Sequence, residues 1–321
     1  MKITLVGPGI MPIPPIGWGA VEILVWDTKN ALEQLGHEVQ IVNTKDPTQI
    51  IREINSFRPD FVHVHYDEFI GVYSYIQYPK AITSHFGYLE RPEMFGGYAN
   101  ILNAFAKVKP NIFCLSEGIK NVYKIIADIP EENLYITPNG VNTQAFNFVD
   151  NPKYPDRSIY LAKIDYRKRQ HMFQGIDSLW YAGNNSDSRF NTSKNYLGEW
   201  NKETLHRDLT NYGNLVLLSD GEAHPLVCME ALASGLGVVV TEWGKANLDD
   251  SKEFITIIPE NKIEDINYVE RKIIENREYS IQHRDEILKY SMNFDWVKVL
   301  KKHYISSIEN IIKNYEIELK K

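Results

Sequence analysis

The chain has 321 residues, enough for two domains of ordinary size, and is 43% hydrophobic and 24% charged, which excludes a disordered chain and supplies a sizeable core. The net charge is −7: of 35 Lys/Arg and 42 Asp/Glu, 11 and 16 precede residue 151, leaving 24 and 26 after it. Neither half is basic, which argues against broad nucleic-acid binding or a polybasic membrane surface. The two cysteines, Cys114 and Cys228, each sit in an apolar segment and read as buried thiols, not as a disulfide framework or a metal site. No apolar run reaches membrane-spanning length, and no signal peptide is expected before the first strand. The expected location is cytoplasmic, with peripheral membrane association open if a substrate is a lipid.

In chain order, Lys2 to Val6 reads as a buried strand. The loop Gly7 to Gly19 (G-P-G-I-M-P-I-P-P-I-G-W-G) follows, then a helix from about Ala20 to Leu35, stopped by Gly36, and a strand from Glu38 to Val42. This is the opening of a doubly wound α/β domain, in which ligands bind beyond the carboxyl ends of the strands. Gly17 and Gly19 would let backbone approach a phosphate closely. A dinucleotide fingerprint is a weak match: Gly7 and Gly9 give G-x-G, but Pro12 takes the place of the third glycine and no acid follows the next strand.

The alternation continues with helix 48–57, strand 61–65, helix 67–76, strand 81–84, helix 98–107, strand 112–115, helix 117–127 and strand 134–136. Three histidines fall at strand ends. His63 and His65 share a strand face, but no third ligand accompanies them and a core role is the better reading. His85 ends its strand beside Ser84, where the ligand crevice should lie.

Asn147 to Arg157 is polar, contains Pro152 and Pro155, and reads as a linker. The expected division is 1–150 and 151–295, with a last helix, 296–321, packing back on the first domain. Strand 158–161 opens the second domain. It runs into Lys163-Ile164-Asp165-Tyr166-Arg167-Lys168-Arg169, which is either a solvated cationic face or an anion clamp. Strand 179–182, a polar loop, a short strand at 195–197 and helix 202–209 follow.

The most informative stretch is Ser219 to Gly235, S-D-G-E-A-H-P-L-V-C-M-E-A-L-A-S-G. A strand from Asn214 to Leu218 enters a polar loop holding Glu222. Pro225 reads as the first residue of an apolar, buried helix that carries Glu230 and stops near Gly235. The mouth of such a helix offers N–H groups and a positive dipole end to an anion. Glu222 and Glu230 are eight positions apart and do not share a helix face. Glu222 is expected before the mouth and Glu230 behind it, bracketing a phosphate; a dipole-favoured acid and a surface residue remain the plain alternative. Strands 237–241 and 254–258 follow, then helix 262–291, broken near Asn276, and a final helix from about Trp296 to Glu318.

These motifs together resemble the retaining glycosyltransferases of family 4, across nearly the whole chain. P-P-I-G-W-G-A-V-E (Pro14 to Glu22) looks like the family's first loop, and A-L-E-Q-L-G-H-E-V (Ala31 to Val39) like the next helix end and strand. T-S-H-F-G (Thr83 to Gly87), P-N-G-V-N-T-Q-A-F (Pro138 to Phe146) and F-D-W (Phe294 to Trp296) match in order. Lys163 and Lys168 fall where the family has an arginine and a lysine, and Glu222 and Glu230 form its E-x7-E pair.

The resemblance implies the GT-B fold, two Rossmann-like doubly wound α/β domains facing across a cleft. It also implies transfer of a sugar from a nucleotide-diphosphate sugar, with UDP or GDP the expected nucleotide, to a glycan, lipid or small-molecule hydroxyl. The configuration would be retained, without metal or cofactor. Lys163 and Lys168 would take the diphosphate, Glu230 the ribose and Glu222 the sugar. The backbone of His224, Pro225, Leu226 and Val227 would meet sugar and phosphate. Gly17, Trp18 and Gly19 would close over the diphosphate, His85 would approach the reacting bond, and the acceptor would sit mainly on the first domain. Lys163 in place of arginine substitutes a point charge for a fork. A GT-B epimerase or phosphorylase, or a silent nucleotide-sugar-binding module, are the other readings.

Overall fold

The computed structural model describes residues 1–16 and 19–320. The elements in chain order begin β1 (Lys2–Val6), α1 (Ala20–Gln34), β2 (Glu38–Val42), α2 (Pro47–Phe57), β3 (Phe61–Val64), α3 (Ile70–Tyr73), β4 (Lys80–Ile82), α4 (Tyr98–Val108), β5 (Ile112–Cys114), α5 (Glu117–Ile126) and β6 (Leu134–Ile136). Next come β7 (Tyr154–Leu161), β8 (Leu179–Ala182), α6 (Lys202–Asp208), β9 (Tyr212–Leu217), α7 (Leu226–Ala233), β10 (Gly237–Thr241), β11 (Ile255–Ile258), α8 (Ile266–Gln282) and α9 (Arg284–Ser291). The chain closes with α10 (Trp296–Val299), a π turn over Leu300–Tyr304, and α11 (Ile305–Glu318). Two compact units result: Met1–Asn139 with Trp296–Lys321, and Gly140–Asp295.

Helix starts follow the local chemistry. Asp46 accepts from the Thr48 N–H at 2.9 Å ahead of Pro47, Ser116 accepts from Ile119 at 3.2 Å, and Asp265 accepts from Tyr268 at 3.0 Å. The central strands β1, β3, β9 and β10 are largely apolar and almost wholly buried on both faces, as parallel strands covered by helices must be, while the edge strand β2 is partly exposed.

The first sheet has the order β2-β1-β3-β4-β5-β6 and the second β11-β10-β9-β7-β8, with all the recorded pairings parallel. Each is doubly wound, with its reversal of strand order between the first and third strands of its unit. In such a sheet the crossovers before and after the reversal lie on opposite faces, so the loops leaving those two strands part and leave a crevice. In the first unit those loops follow β1 and β3; in the second they follow β7 and β9. The second unit's core is dominated by β7, β9 and β10, with Tyr160, Leu215, Leu217, Val239 and Met229 fully or almost fully buried.

Several boundaries differ from the sequence expectations, each for a physical reason. The expected linker 147–157 gives up its last residues to β7, which pairs Tyr154 with Tyr212 before a register shift. Its polar look is deceptive because the Arg157 guanidinium lies over the Tyr154 and Trp180 rings, at 4.5 and 4.2 Å. The expected helix 67–76 shrinks to a 3-10 turn, Asp67–Phe69, and α3, as Asp67 turns inward to Ser84. The long C-terminal helix breaks at His283, not at Asn276. Asn276 is buried inside α8, where its amide donates to Thr256 Oγ1 at 3.1 Å and its carbonyl oxygen accepts from Asn214 at 2.9 Å. A side chain at Gly237 would come within 2.0 Å of Ser280 Oγ, so α8 lies directly on β10.

Arg284 opens α9 almost fully buried and fastens the chain entering the second unit. It donates to Val149 O (2.9 Å), Thr210 O (2.6 Å), Thr210 Oγ1 (2.8 Å), Tyr212 O (3.2 Å) and Ser234 O (3.2 Å). Burial lowers its pKa to about 10, so it remains charged at neutral pH. Arg284→Ala should leave these buried carbonyls without their donor and lower stability by about 3 kcal/mol or more. Urea unfolding measures this; a change under 1 kcal/mol would mean that water replaces the guanidinium at about equal free energy.

Candidate functional site

The second unit's crevice is built from the loops that leave β7 and β9. Tyr160, buried in β7, ties them together: its hydroxyl accepts from the Leu218 N–H at 2.8 Å and donates to the Lys168 carbonyl. The Asp220 N–H also donates to the Arg167 carbonyl at 3.0 Å. Asp165 starts a 3-10 turn over Tyr166–Lys168 by accepting from the Lys168 N–H at 3.0 Å. This turn swings Lys168 inward and leaves Lys163 exposed at the loop's start.

Glu222, its side chain only 8% exposed, lies between two cations. Lys168 Nζ makes a short ion pair to Oε1, and Arg167 Nη1 lies 3.3 Å from Oε2. Burial pushes the Glu222 carboxyl up, but the charges of Lys168 and Arg167 outweigh it and hold the group below the usual carboxylate range. Glu222 is therefore ionised at neutral pH. Arg167 also donates to Gly221 O at 2.6 Å. His224 is buried beside this pair, and burial alone pushes its pKa down to about 4.

Pro225 is the N-cap of α7, with φ −71° and ψ 117°, and not its first helical residue as the sequence suggested. Its side chain makes no capping hydrogen bond to the first N–H groups of α7, which begin at Leu226 and Val227. Glu230 stands partly exposed a turn further on. The second unit thus places Lys168 against Glu222 in front of the mouth formed by His224, Pro225, Leu226 and Val227. Lys163 lies on the same loop as Lys168, and Glu230 lies on the helix behind the mouth.

Sequence reading undervalued two members of the cationic run. Arg167 is the second partner of Glu222. Arg169, at a left-handed φ of 58°, is taken up by Glu260 through bonds of 3.1 and 2.5 Å, and Trp243 Nε1 donates to the same carboxylate at 3.1 Å. The run K-x-D-x-R-K-R was visible, but which cation turns inward depends on the Asp165 turn.

In the first unit, Gly19 caps α1 at φ 141°, and a Cβ there would lie 3.1 Å from Glu22 Oε2 and 3.2 Å from Pro15 Cβ. That geometry requires glycine with or without a ligand. Gly17 and Trp18 lie outside the described residues. His85 follows β4 at the carboxyl edge of the sheet. Its turn is held by Ser84, which donates to Asp67 at 2.5 Å and accepts from the Tyr98 hydroxyl at 2.8 Å and from the Phe86 N–H at 3.2 Å. The Phe86 ring stacks on Tyr98 with centroids 3.9 Å apart.

The three histidines form a column: His63 and His65 centroids are 3.7 Å apart, and His65 and His85 stack with centroids 5.8 Å apart and nearly parallel planes. The Thr83 hydroxyl gives its proton to Phe113 O at 3.2 Å, so it accepts from His63 Nε2 at 2.8 Å. His63 Nδ1 then accepts from the Tyr304 hydroxyl at 2.8 Å. Burial, with neighbouring imidazoles adding, holds His63 and His65 well below 6.5, and burial lowers His85 to about 4. Among the described residues no group of three or more His, Cys, Asp or Glu could hold a metal ion, and no helix is long and apolar enough to cross a membrane.

No family model matches the chain, and no curated protein matches it. Solved structures do. Anabaena HepE in complex with UDP-glucose is 13% identical with a TM-score of 0.71, covering 98% of this chain and 100% of that one. Sucrose-phosphate synthase from Thermosynechococcus elongatus is 14% identical with a TM-score of 0.75, covering 94% and 97%. AviGT4, a glycosyltransferase involved in avilamycin A biosynthesis, is 18% identical with a TM-score of 0.70, covering 98% of each chain. The fold is GT-B. The identities are low, so the likeness concerns architecture and leaves the chemistry to the residues of the site.

The neutral histidines set an acid limit on stability. The unfolded chain takes up protons on His63, His65, His85 and His224 below about pH 6.5, whereas the folded chain resists them. Stability is full above that pH and falls as the pH drops toward 4, by up to about 1.4 kcal/mol per pH unit for each such histidine. Urea unfolding at pH 7.5, 6 and 5 should show this decline; a flat profile would mean that the imidazoles titrate normally in the fold.

Proposed function

We propose that the protein is a retaining, metal-independent glycosyltransferase resembling family 4, which moves a sugar from a nucleotide-diphosphate sugar to an acceptor hydroxyl. The observation that carries the reading is the Lys168–Glu222 pair at the strand-order reversal of the second unit, directly before the uncapped start of α7. Cations, a helix mouth and a carboxylate within one short span suit a ligand that joins a diphosphate to a polyhydroxylated ring. One solved relative of this fold, Anabaena HepE, is described in complexes with UDP and with UDP-glucose, and another, AviGT4, as a glycosyltransferase.

In this reading Lys168, Arg167 and Lys163 take the diphosphate, whose second oxygen set meets the first N–H groups of α7. Glu222 accepts from hydroxyls of the donor sugar and Glu230 from those of the ribose. During transfer the C1–O bond to the diphosphate breaks and its electron pair stays with the leaving nucleoside diphosphate. The acceptor oxygen bonds to C1 from the same face, and its proton passes to a phosphate oxygen. Fixed positive charge at the departing diphosphate lowers that barrier. His85 is assigned to the reacting sugar, and the acceptor to the first unit.

The fit also defines how Lys168 works. In the free protein it neutralises Glu222. A diphosphate would share that ammonium, while the sugar hydroxyls replace part of the hydrogen bonding that Glu222 loses.

Donor turnover should be followed with UDP- and GDP-sugars over a panel of glycan, lipid and small-molecule acceptors, with EDTA or magnesium. Transfer that persists in EDTA and falls about a hundredfold or more in Glu230→Ala and Lys168→Ala, in folded protein, is the expected outcome. Full activity in both variants would remove the site assignment. Donor binding with neither transfer nor hydrolysis would instead identify a silent binding module, and product with inverted configuration would refute retention.

A further inference from the structure

A small cavity lies inside the first unit, beneath His85. Its lining includes His65, His85, Trp296, Leu300 and Tyr304, and its volume of about 20 Å³ is room for a single water. Four polar atoms of its lining residues are buried without a hydrogen-bond partner among the described residues: His65 Nδ1, His65 Nε2, His85 Nε2 and Trp296 Nε1. His65 is 5% and Trp296 7% exposed. Unpaired polar atoms on three residues lining one cavity point to an occupant, because buried polar groups are almost always satisfied by protein or by ordered water.

The chemistry of the lining selects the occupant. The indole N–H only donates, and each neutral imidazole offers one donor and one acceptor. None of the lining residues carries a carboxylate or a fixed cation, so the cavity suits a neutral molecule that both donates and accepts.

The C-terminal helix is shaped to close this cavity. Residues 296, 300 and 304 are spaced four apart, and over two such steps an unbroken α-helix drifts about 80° around its axis. The π turn at Leu300–Tyr304 takes up that drift, so Trp296, Leu300 and Tyr304 all line the cavity. Tyr304 and Thr83 fix the tautomer of His63, the bottom of the column, but among the described residues none bonds His85 Nε2 at its top.

We propose that this cavity is a binding site for one ordered water, held by Trp296 Nε1 and His65 against His85 Nε2, and that Trp296 is thereby a positioning residue for His85. The water accepts from the indole N–H and from a His65 N–H, which fills both its lone pairs, so it donates to His85 Nε2 and leaves the His85 proton on Nδ1. Which nitrogen of His85 carries its proton, and so what its outer nitrogen offers a substrate, is set by that inner bond. The consequence for catalysis rests on the assignment of His85 to the reacting sugar; the water site does not.

The test uses the full chain. A crystal structure should contain a single water density peak within hydrogen-bond distance of His85 Nε2 and Trp296 Nε1, and a dry cavity would overturn the proposal. Nitrogen NMR of the ring should find one tautomer of His85 in the parent protein and a mixture in Trp296→Phe, which keeps the aromatic bulk but loses the donor. An unchanged tautomer in a folded Trp296→Phe would also overturn it. In the transfer assay Trp296→Phe should lower kcat about tenfold and leave the donor KM within about twofold, the split expected of misorientation and not of lost binding. If the parent protein transfers no sugar, the density and the tautomer still decide the proposal, and only the functional reading of the second unit fails.

Discussion

A buried carboxylate needs counter-charges, and the candidate site of this protein is organised by that requirement. Glu222 is almost fully withdrawn from solvent, and it stays ionised because Lys168 and Arg167 lie against it. Burying such a charge alone would cost several kcal/mol, and the pair is tolerated only with good geometry. That geometry comes from the two loops being laced by Tyr160 and by the Asp220–Arg167 backbone bond. The charge pair, the loop lacing and the uncapped α7 are thus one arrangement.

The arrangement stands where the topology puts it. Parallel strands release their loops at one edge of a sheet, and the reversal of strand order separates two of them. Both units have their reversal between first and third strands, so both offer a crevice of the same descent. They fill it differently. The second unit fills its crevice with charge, whereas the first carries, at β3 and β4, a column of neutral imidazoles braced by Tyr304.

Much of this was legible in the sequence, because it rests on short-range pattern. The alternation of apolar strands and amphipathic helices, the Gly-rich first loop and the stretch from Ser219 to Gly235 all carry their structure locally. What escaped depends on neighbours distant in the chain. Tyr154 to Arg157 looked like linker because its arginine is covered by rings on β7 and β8. Asn276 looked like a helix break because its amide is satisfied by strands far away in sequence. Of the cations between Lys163 and Arg169, only the fold reveals that Lys168 and Arg167 serve Glu222 while Arg169 serves Glu260. His85 and Trp296 line one cavity although 211 residues apart, a pairing that leaves no sequence signal.

The central claim is that a nucleoside diphosphate binds the second unit at the loops after β7 and β9. Amide hydrogen exchange of the full chain with and without UDP, and then GDP, addresses it most directly, since it reads location and needs no acceptor. The account predicts added protection confined mainly to residues 162–169 and 218–228, with either nucleotide in the presence of EDTA. Protection confined to other segments, or none at saturating concentrations of both nucleotides, would contradict it.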